Sequence, residues 1–137
     1  MKDRAAALIV RDGLLLVIHR LKYGKEYYCL PGGGIEKGES PEDACVRELA
    51  EETSLRMKSF EKIGTINNQG RTEHYFLCTA FSGEPGLGGP EQEYQSENNQ
   101  HILEWADAAT LKTIDIKPPC TRDMCLKALY DDDHSSC

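Results

Sequence analysis

The chain has 137 residues, 39% of them hydrophobic, enough for one ordinary domain with a real core. A net charge of −7 and the lack of any basic run argue against bulk affinity for nucleic acid or an anionic membrane surface. No apolar stretch approaches the length that spans a bilayer. The segment Met1–Ala7 lacks the apolar core of a signal peptide, so a cytoplasmic location is expected. The six cysteines, Cys29, Cys45, Cys78, Cys120, Cys125 and Cys137, include no C-x-x-C pair. They are expected to be free thiols rather than zinc ligands or disulfides.

Ala5–Val10 and Leu14–Ile18 are continuous apolar runs with the hairpin signal Asp12-Gly13 between them. They predict a strand pair buried on both faces. Leu21–Glu26 is polar and contains a glycine, and reads as a loop. Tyr27–Leu30 reads as a short strand ending at Pro31, followed by a Gly-rich turn at Gly32–Gly34. Ser40 is a good N-cap, Pro41 suits the first helical position, and Glu42 and Asp43 complement the positive end of the helix. That helix should stop near Thr53 or Ser54, with Ala44, Cys45, Leu49 and Ala50 able to face a core. If Ser54 takes the left-handed conformation common at helix ends, the strain is about 1 kcal/mol.

Phe60–Ile66 and His74–Phe81 read as further strands. Ser82–Gln100, with four Gly and two Pro, reads as a long surface loop. Ile102–Trp105 is a predicted strand and Ala106–Leu111 a brief helix. Thr121 is the predicted cap of a last amphipathic helix, with Met124, Cys125, Ala128 and Leu129 on one stripe. Asp131–Cys137 reads as a flexible tail. No repeat or internal linker interrupts the chain, so residues 1–137 are expected to form a single domain.

The densest chemistry lies between Gly33 and Leu55. Glu48, Glu51 and Glu52 fall at i, i+3 and i+4, on one face of the predicted helix. Like charges so close repel, and a divalent cation would remove the conflict. Arg47 lies four residues before Glu51 and can pair with it, and Glu39 closes the loop before the helix. A glutamate-rich helix is ordinarily just a solvated face. Gly33, Glu39 and Arg47 in register with the glutamates favour a metal site instead; chance alignment of the hallmark positions has a frequency of about one in a hundred thousand. His19, His74, His101 and His134 have no metal-ligand spacing. Tyr27, Tyr28, Tyr75 and Trp105 could stack on a nucleobase, although such residues more often pack a sheet. Tyr27 and Tyr28 point to opposite faces, so one of them is expected to border a pocket.

The spacing G-x5-E-x7-R-E-apolar-x-E-E over Gly33–Glu52 resembles the Nudix box of the Nudix hydrolases, with Ser54 where the family has Gly. The resemblance implies an α/β (α+β mixed) fold, a Nudix-type α/β/α sandwich with a mixed sheet between helices. It implies Mg²⁺, with Mn²⁺ as the second choice, held by Glu48, Glu51, Glu52 and the carbonyl of Gly32. The implied catalytic residues are Glu52 and Glu48 as base candidates, Arg47 as their orienting partner, and Glu39 as the residue joining loop to helix. Gly33, Gly34 and Tyr28 are expected beside the substrate. Glu93 and Glu91, ahead of Glu97, are the candidates from the long loop for substrate contact or an outside base. The implied reaction is hydrolysis of a phosphoanhydride in a nucleoside diphosphate linked to another group (NDP-X), with a nucleoside triphosphate as one option. The partner is then a small nucleotide-type molecule, and a homodimer is left open. Subfamily marks are missing: Gly70 stands near the place where ADP-ribose-type members carry Pro, and the coenzyme A and NADH signatures are absent. A non-catalytic nucleotide-binding Nudix module is the alternative, but such modules usually lose box glutamates, and this chain keeps them. An acidic Ca²⁺ module is poorly supported, because no D-x-D-x-D-G loop is present.

Overall fold

The computed structural model describes residues 2–86 and 99–134. Glu91, Glu93, Glu97 and Cys137 lie outside the described residues. The elements in order are β1 (Arg4–Arg11), β2 (Leu14–Lys22), β3 (Lys25–Cys29), β4 (Gly32–Gly34), α1 (Pro41–Thr53), β5 (Arg56–Asn68), β6 (Arg71–Ser82), β7 (Asn99–Ala106), α2 (Ala108–Leu111), β8 (Ile116–Lys117) and α3 (Thr121–His134).

The strands form one mixed eight-stranded sheet in the order β5-β6-β1-β2-β3-β8, with β4 also on β1 and β7 also on β2. β1 runs parallel to β6 from Arg4↔Glu73 to Ile9↔Cys78 and antiparallel to β4 from Arg4↔Gly34 to Ala6↔Gly32. β2 touches β1 only at Val10↔Leu15 and Arg11↔Leu14, then continues between β3 and β7. The sheet therefore splays where β1 and β2 part.

Both faces of β1 are covered, which is why its sequence is an unbroken apolar run. Ala6, Leu8 and Val10 join the core beneath α3, with Tyr75, Cys125, Ala128 and Leu129. Ala5, Ala7 and Ile9 join the core beneath α1, with Ala44, Cys45, Leu49 and Phe76. The α/β/α layering follows from this alternation. β5 is largely exposed and rich in charge at the sheet edge, which discourages pairing with other chains.

Several elements differ from the sequence reading. Leu21–Glu26 is not a loop: Tyr23-Gly24 is a two-residue hairpin turn with φ of 48° and 82°. Asp12-Gly13 and Gln69-Gly70 share that conformation, the mirror-image turn that matches strand twist. Tyr23 hides the signal because side chains other than Asn and Asp rarely take positive φ. Gly32–Gly34 is not a turn but β4, and its glycines serve close approach rather than unusual φ. Thr121 lies inside α3, its hydroxyl donating to the Pro118 carbonyl at 2.8 Å rather than capping the helix. α3 runs to His134, past Asp131 where the sequence reading begins the tail. Cys29, Cys45, Cys78, Cys120 and Cys125 are free thiols. Among the described residues no helix is long and apolar enough to cross a membrane.

Candidate active site

α1 starts where the sequence places it. The Ser40 hydroxyl accepts the Asp43 N–H at 3.0 Å, and the buried residues Ala44, Cys45 and Leu49 fix the helix on β1. This leaves the opposite edge of the helix, with Glu48, Glu51 and Glu52, alongside β4. Glu52 is 7% exposed and accepts the Gly32 N–H at 2.5 Å. The side chain of Glu48 is 14% exposed and that of Glu51 44%. A Cβ on Gly33 would overlap the Glu48 carboxyl, and one on Gly32 would overlap the backbone of Ala5 and Ala6. The glycines therefore let a carboxylate lie flat on backbone.

Arg47 ties this region together. Its Nε and Nη2 donate to both oxygens of Glu39, at 2.8 and 2.9 Å. Nη1 donates to Glu48 at 2.9 Å and stands 3.5 Å from Glu51. Nη2 also donates to the Gly34 carbonyl at 3.0 Å. The i,i+4 contact with Glu51 expected from spacing is thus the longest of its ion pairs, and the forked pair with Glu39 is the strongest. That fork, helped by the Glu36 N–H, lowers the Glu39 pKa to about 2. The same pairing keeps Arg47 firmly charged.

Three carboxylates thus share one guanidinium, and Glu52 stands beside them on the Gly32 amide. Among the described residues, no three His, Cys, Asp or Glu side chains stand ready to hold an ion as placed. The donor chemistry nonetheless fits a hard dication. The ligands on offer are carboxylate oxygens from one helical turn, with bare glycine backbone beside them.

On the far face of β1 lies a cavity of about 500 Å³. Arg4, Arg20, Arg71, Lys117 and Tyr27 line it, together with Glu73. Glu73 is 1% exposed, and its carboxylate accepts from Tyr75 Oη, from Asn68 at 3.1 Å and from Arg71. Burial opposes its ionised form, but these hydrogen bonds outweigh burial and its pKa is lowered. The Cys29 thiol also lines the cavity; burial pushes its pKa up to about 11, so it is no nucleophile near neutral pH. Arg4, Glu52 and Arg20 all act electrostatically on that thiol, which brings the cavity and the box into one electrostatic neighbourhood.

The structure thus brings Glu39, Arg47, Glu48, Glu51, Glu52 and Gly32–Gly34 together. Gly32 meets the cluster through its N–H, and Gly34 through its carbonyl. Tyr28 is not part of the cavity wall. It stacks on His19 with ring centroids 4.3 Å apart, and Tyr27 lines the cavity instead. The sequence reading missed Arg4, Arg20, Arg71, Lys117 and Glu73. The available signal was charge at positions whose strand alternation points inward, such as Arg4 two before Ala6 and Glu73 two before Tyr75.

A family profile described as NUDIX domain matches residues 1–123. An RNA pyrophosphohydrolase of Vibrio cholerae is 48% identical over 73 residues, covering 53% of this chain and 42% of that protein. An ADP-ribose pyrophosphatase of Methanocaldococcus jannaschii is 33% identical over 101 residues, covering 67% and 60%. The chain spans about half the length of the relatives it matches. A solved MutT structure, from work on Aliivibrio salmonicida and Vibrio cholerae, superposes with a TM-score of 0.74 at 20% identity, covering 95% of this chain and 98% of that one. At that identity the likeness shows the fold.

Proposed function

Since the chain belongs to the Nudix family, we propose that it hydrolyses a phosphoanhydride bond in an NDP-X compound or a nucleoside triphosphate, with Mg²⁺ or Mn²⁺ as cofactor. The observation that carries this reading is the charge imbalance at α1. Glu39, Glu48, Glu51 and Glu52 outnumber Arg47, and all but Glu51 are largely buried. Buried carboxylates in excess of their counter-charges are costly unless something else neutralises them. A bound dication supplies that charge, screens the pyrophosphate oxygens and activates water.

In this reading Glu48, Glu51 and Glu52 hold the ion, joined by the Gly32 carbonyl. Arg47 is a positioning residue that fixes Glu48 and Glu51, and Glu39 fixes Arg47. Gly33 and Gly34 admit phosphate close to backbone. Glu52 is the favoured general base and Glu48 the second choice. Glu48 is committed to Arg47, whereas Glu52 faces β4, where it accepts the Gly32 N–H. The cavity receives the remainder of the nucleotide, with Tyr27 as the stacking surface. Glu91 and Glu93 stay as candidates for substrate contact or as bases from outside the box.

The test is product analysis. The purified chain is incubated with nucleoside triphosphates, dinucleotides, NDP-sugars and ADP-ribose in Mg²⁺, in Mn²⁺ and in EDTA. The expected result is metal-dependent cleavage at an anhydride, read by phosphorus NMR. Metal-independent cleavage, or none with any of them, would overturn the reading.

A further inference from the structure

The four cations of the cavity are not equivalent. Arg71 is engaged by buried Glu73, and Lys117 stands 3.2 Å from Asp115. Arg4 donates to the Leu30 carbonyl at 3.0 Å. Arg20 donates to the Gln100 carbonyl at 3.3 Å and to Asn99 Oδ1 at 2.8 Å, with its guanidinium carbon 5.9 Å from the centre of the Tyr27 ring. Among the described residues, neither Arg4 nor Arg20 has a carboxylate at ion-pair distance. Their acceptors are neutral, so the hydrogen bonds orient the two guanidinium forks without cancelling their charge. This occurs in a chain with 23 acidic and 16 basic residues, where carboxylate partners are abundant. Two arginines that meet no carboxylate among the described residues, both lining one concave wall, make a seat for an anion.

The seat is distinct from the carboxylate cluster. Arg4 and Ala6 point into the cavity, while Ala5 and Ala7 point to the core under α1. Gly32 is opposite Ala6 and gives its N–H to Glu52, so the cavity begins where the cluster ends. A substrate cleaved beside Glu52 can extend past β4 toward Arg4 and Arg20. The cavity, at about 500 Å³, has the scale of a small-molecule site.

Building on the hydrolase reading above, we propose that Arg4 and Arg20 recognise a phosphate ester remote from the bond cleaved, so that the preferred substrate is a nucleotide carrying a further phosphate on its sugar. A phosphate monoester carries up to two charges and three oxygens, which matches two guanidinium forks better than one carboxylate would.

The experiment compares three substrates on the 137-residue chain in Mg²⁺: ATP, ATP with a 3′-phosphate, and the 5′-triphosphorylated dinucleotide pppApA, whose 3′ group is a diester. We expect kcat/KM for the 3′-phosphorylated nucleotide to exceed that for ATP by about tenfold or more, mainly through KM, the scale of one charge-assisted contact. The dinucleotide falls between them if the monoester is the group read, and equals the monoester if a diester suffices. In Arg20→Gln and Arg4→Gln the ratio of the two kcat/KM values falls toward one, and Arg20→Lys retains part of it, with circular dichroism checking the fold. Equal kcat/KM for all three substrates, or a ratio that both Gln variants leave intact, would overturn the proposal. If no nucleotide is cleaved, the hydrolase reading fails by itself. The same three compounds, titrated calorimetrically in EDTA, then decide the second-phosphate proposal by the ratio of their Kd values.

Discussion

Two arginine–glutamate networks lie on opposite sides of β1, and they are built on different principles. Around Arg71 one buried carboxylate, Glu73, meets one guanidinium, a tyrosine hydroxyl and an asparagine amide. Charge and hydrogen-bond capacity both close, as a structural network requires. Around Arg47 one guanidinium is divided among Glu39, Glu48 and Glu51, with Glu52 beside them. That network is left negative. In the proposed reading the contrast separates a carboxylate that holds the fold from carboxylates that would take a cation, although Glu73, Glu39, Glu48 and Glu51 all meet an arginine.

The sharpest way to break this contrast is to remove charge on each side. Glu52→Gln should lower turnover by about a thousandfold, within the range for loss of a general base, while the thermal midpoint stays the same or rises slightly because repulsion is relieved. Steady-state kinetics and a melting curve on one preparation check both halves. Glu73→Ala should do the reverse to stability, lowering the unfolding free energy in urea by about 2–3 kcal/mol, because Arg71 and Tyr75 lose their shared acceptor. An equal loss of stability in the two variants would erase the distinction.

Acid should then reach the Arg47 network in a defined window. The Glu39 pKa is depressed, so its contribution is complete above the ordinary carboxylate value of 4.5 and fades as pH falls toward about 2. Glu39→Gln should flatten that part of the stability–pH profile. A third group behaves oppositely. His19 sits between Glu104 at 2.8 Å and Glu26 at 2.6 Å, so each ring nitrogen meets a carboxylate oxygen. Burial disfavours its cation, but the two carboxylates outweigh burial and its pKa is raised. Its contribution is complete below 6.5 and is lost as pH rises through the elevated value. His19→Gln should remove that decline from melting curves taken between about pH 5 and 8.

The smallest effect is expected at the end of α1. Ser54 is left-handed, with φ of 67°, and its N–H bonds the Ala50 carbonyl. Its hydroxyl also donates to the Gly86 carbonyl at 3.0 Å, and the Gly86 N–H returns a bond to Thr53. Ser54→Gly relieves strain of about 1 kcal/mol and loses a hydrogen bond of similar worth, so the melting temperature should barely move. Ser54→Ala keeps the strain and loses the bond, and should melt a few degrees lower.

The parts legible in the sequence are those whose logic is local. The Ser40 cap, the i, i+3, i+4 carboxylates and the apolar β1–β2 pair each announce themselves within a few residues. β4 was not legible, because three glycines carry no alternation and their purpose is contact with Ala5, Ala6 and Glu48, all distant in sequence. The cavity was not legible either. Arg4, Arg20, Arg71 and Lys117 come from β1, β2, β6 and β8, and only the sheet order brings them to one wall. A strand predicts that Tyr27 and Tyr28 part to opposite faces, but not which side becomes the pocket, and it is Tyr27 that lines the cavity.

The Gly32 amide offers a spectroscopic consequence. Its proton is donated directly to Glu52 across the β4–α1 gap. A backbone ¹⁵N–¹H resonance that hydrogen-bonds a carboxylate shifts downfield with the charge on the acceptor, so this single cross-peak is a native titration indicator. Followed by NMR against pH or added cation in ¹⁵N-labelled protein, it would report the ionisation of one chosen side chain without a substrate or a mutation.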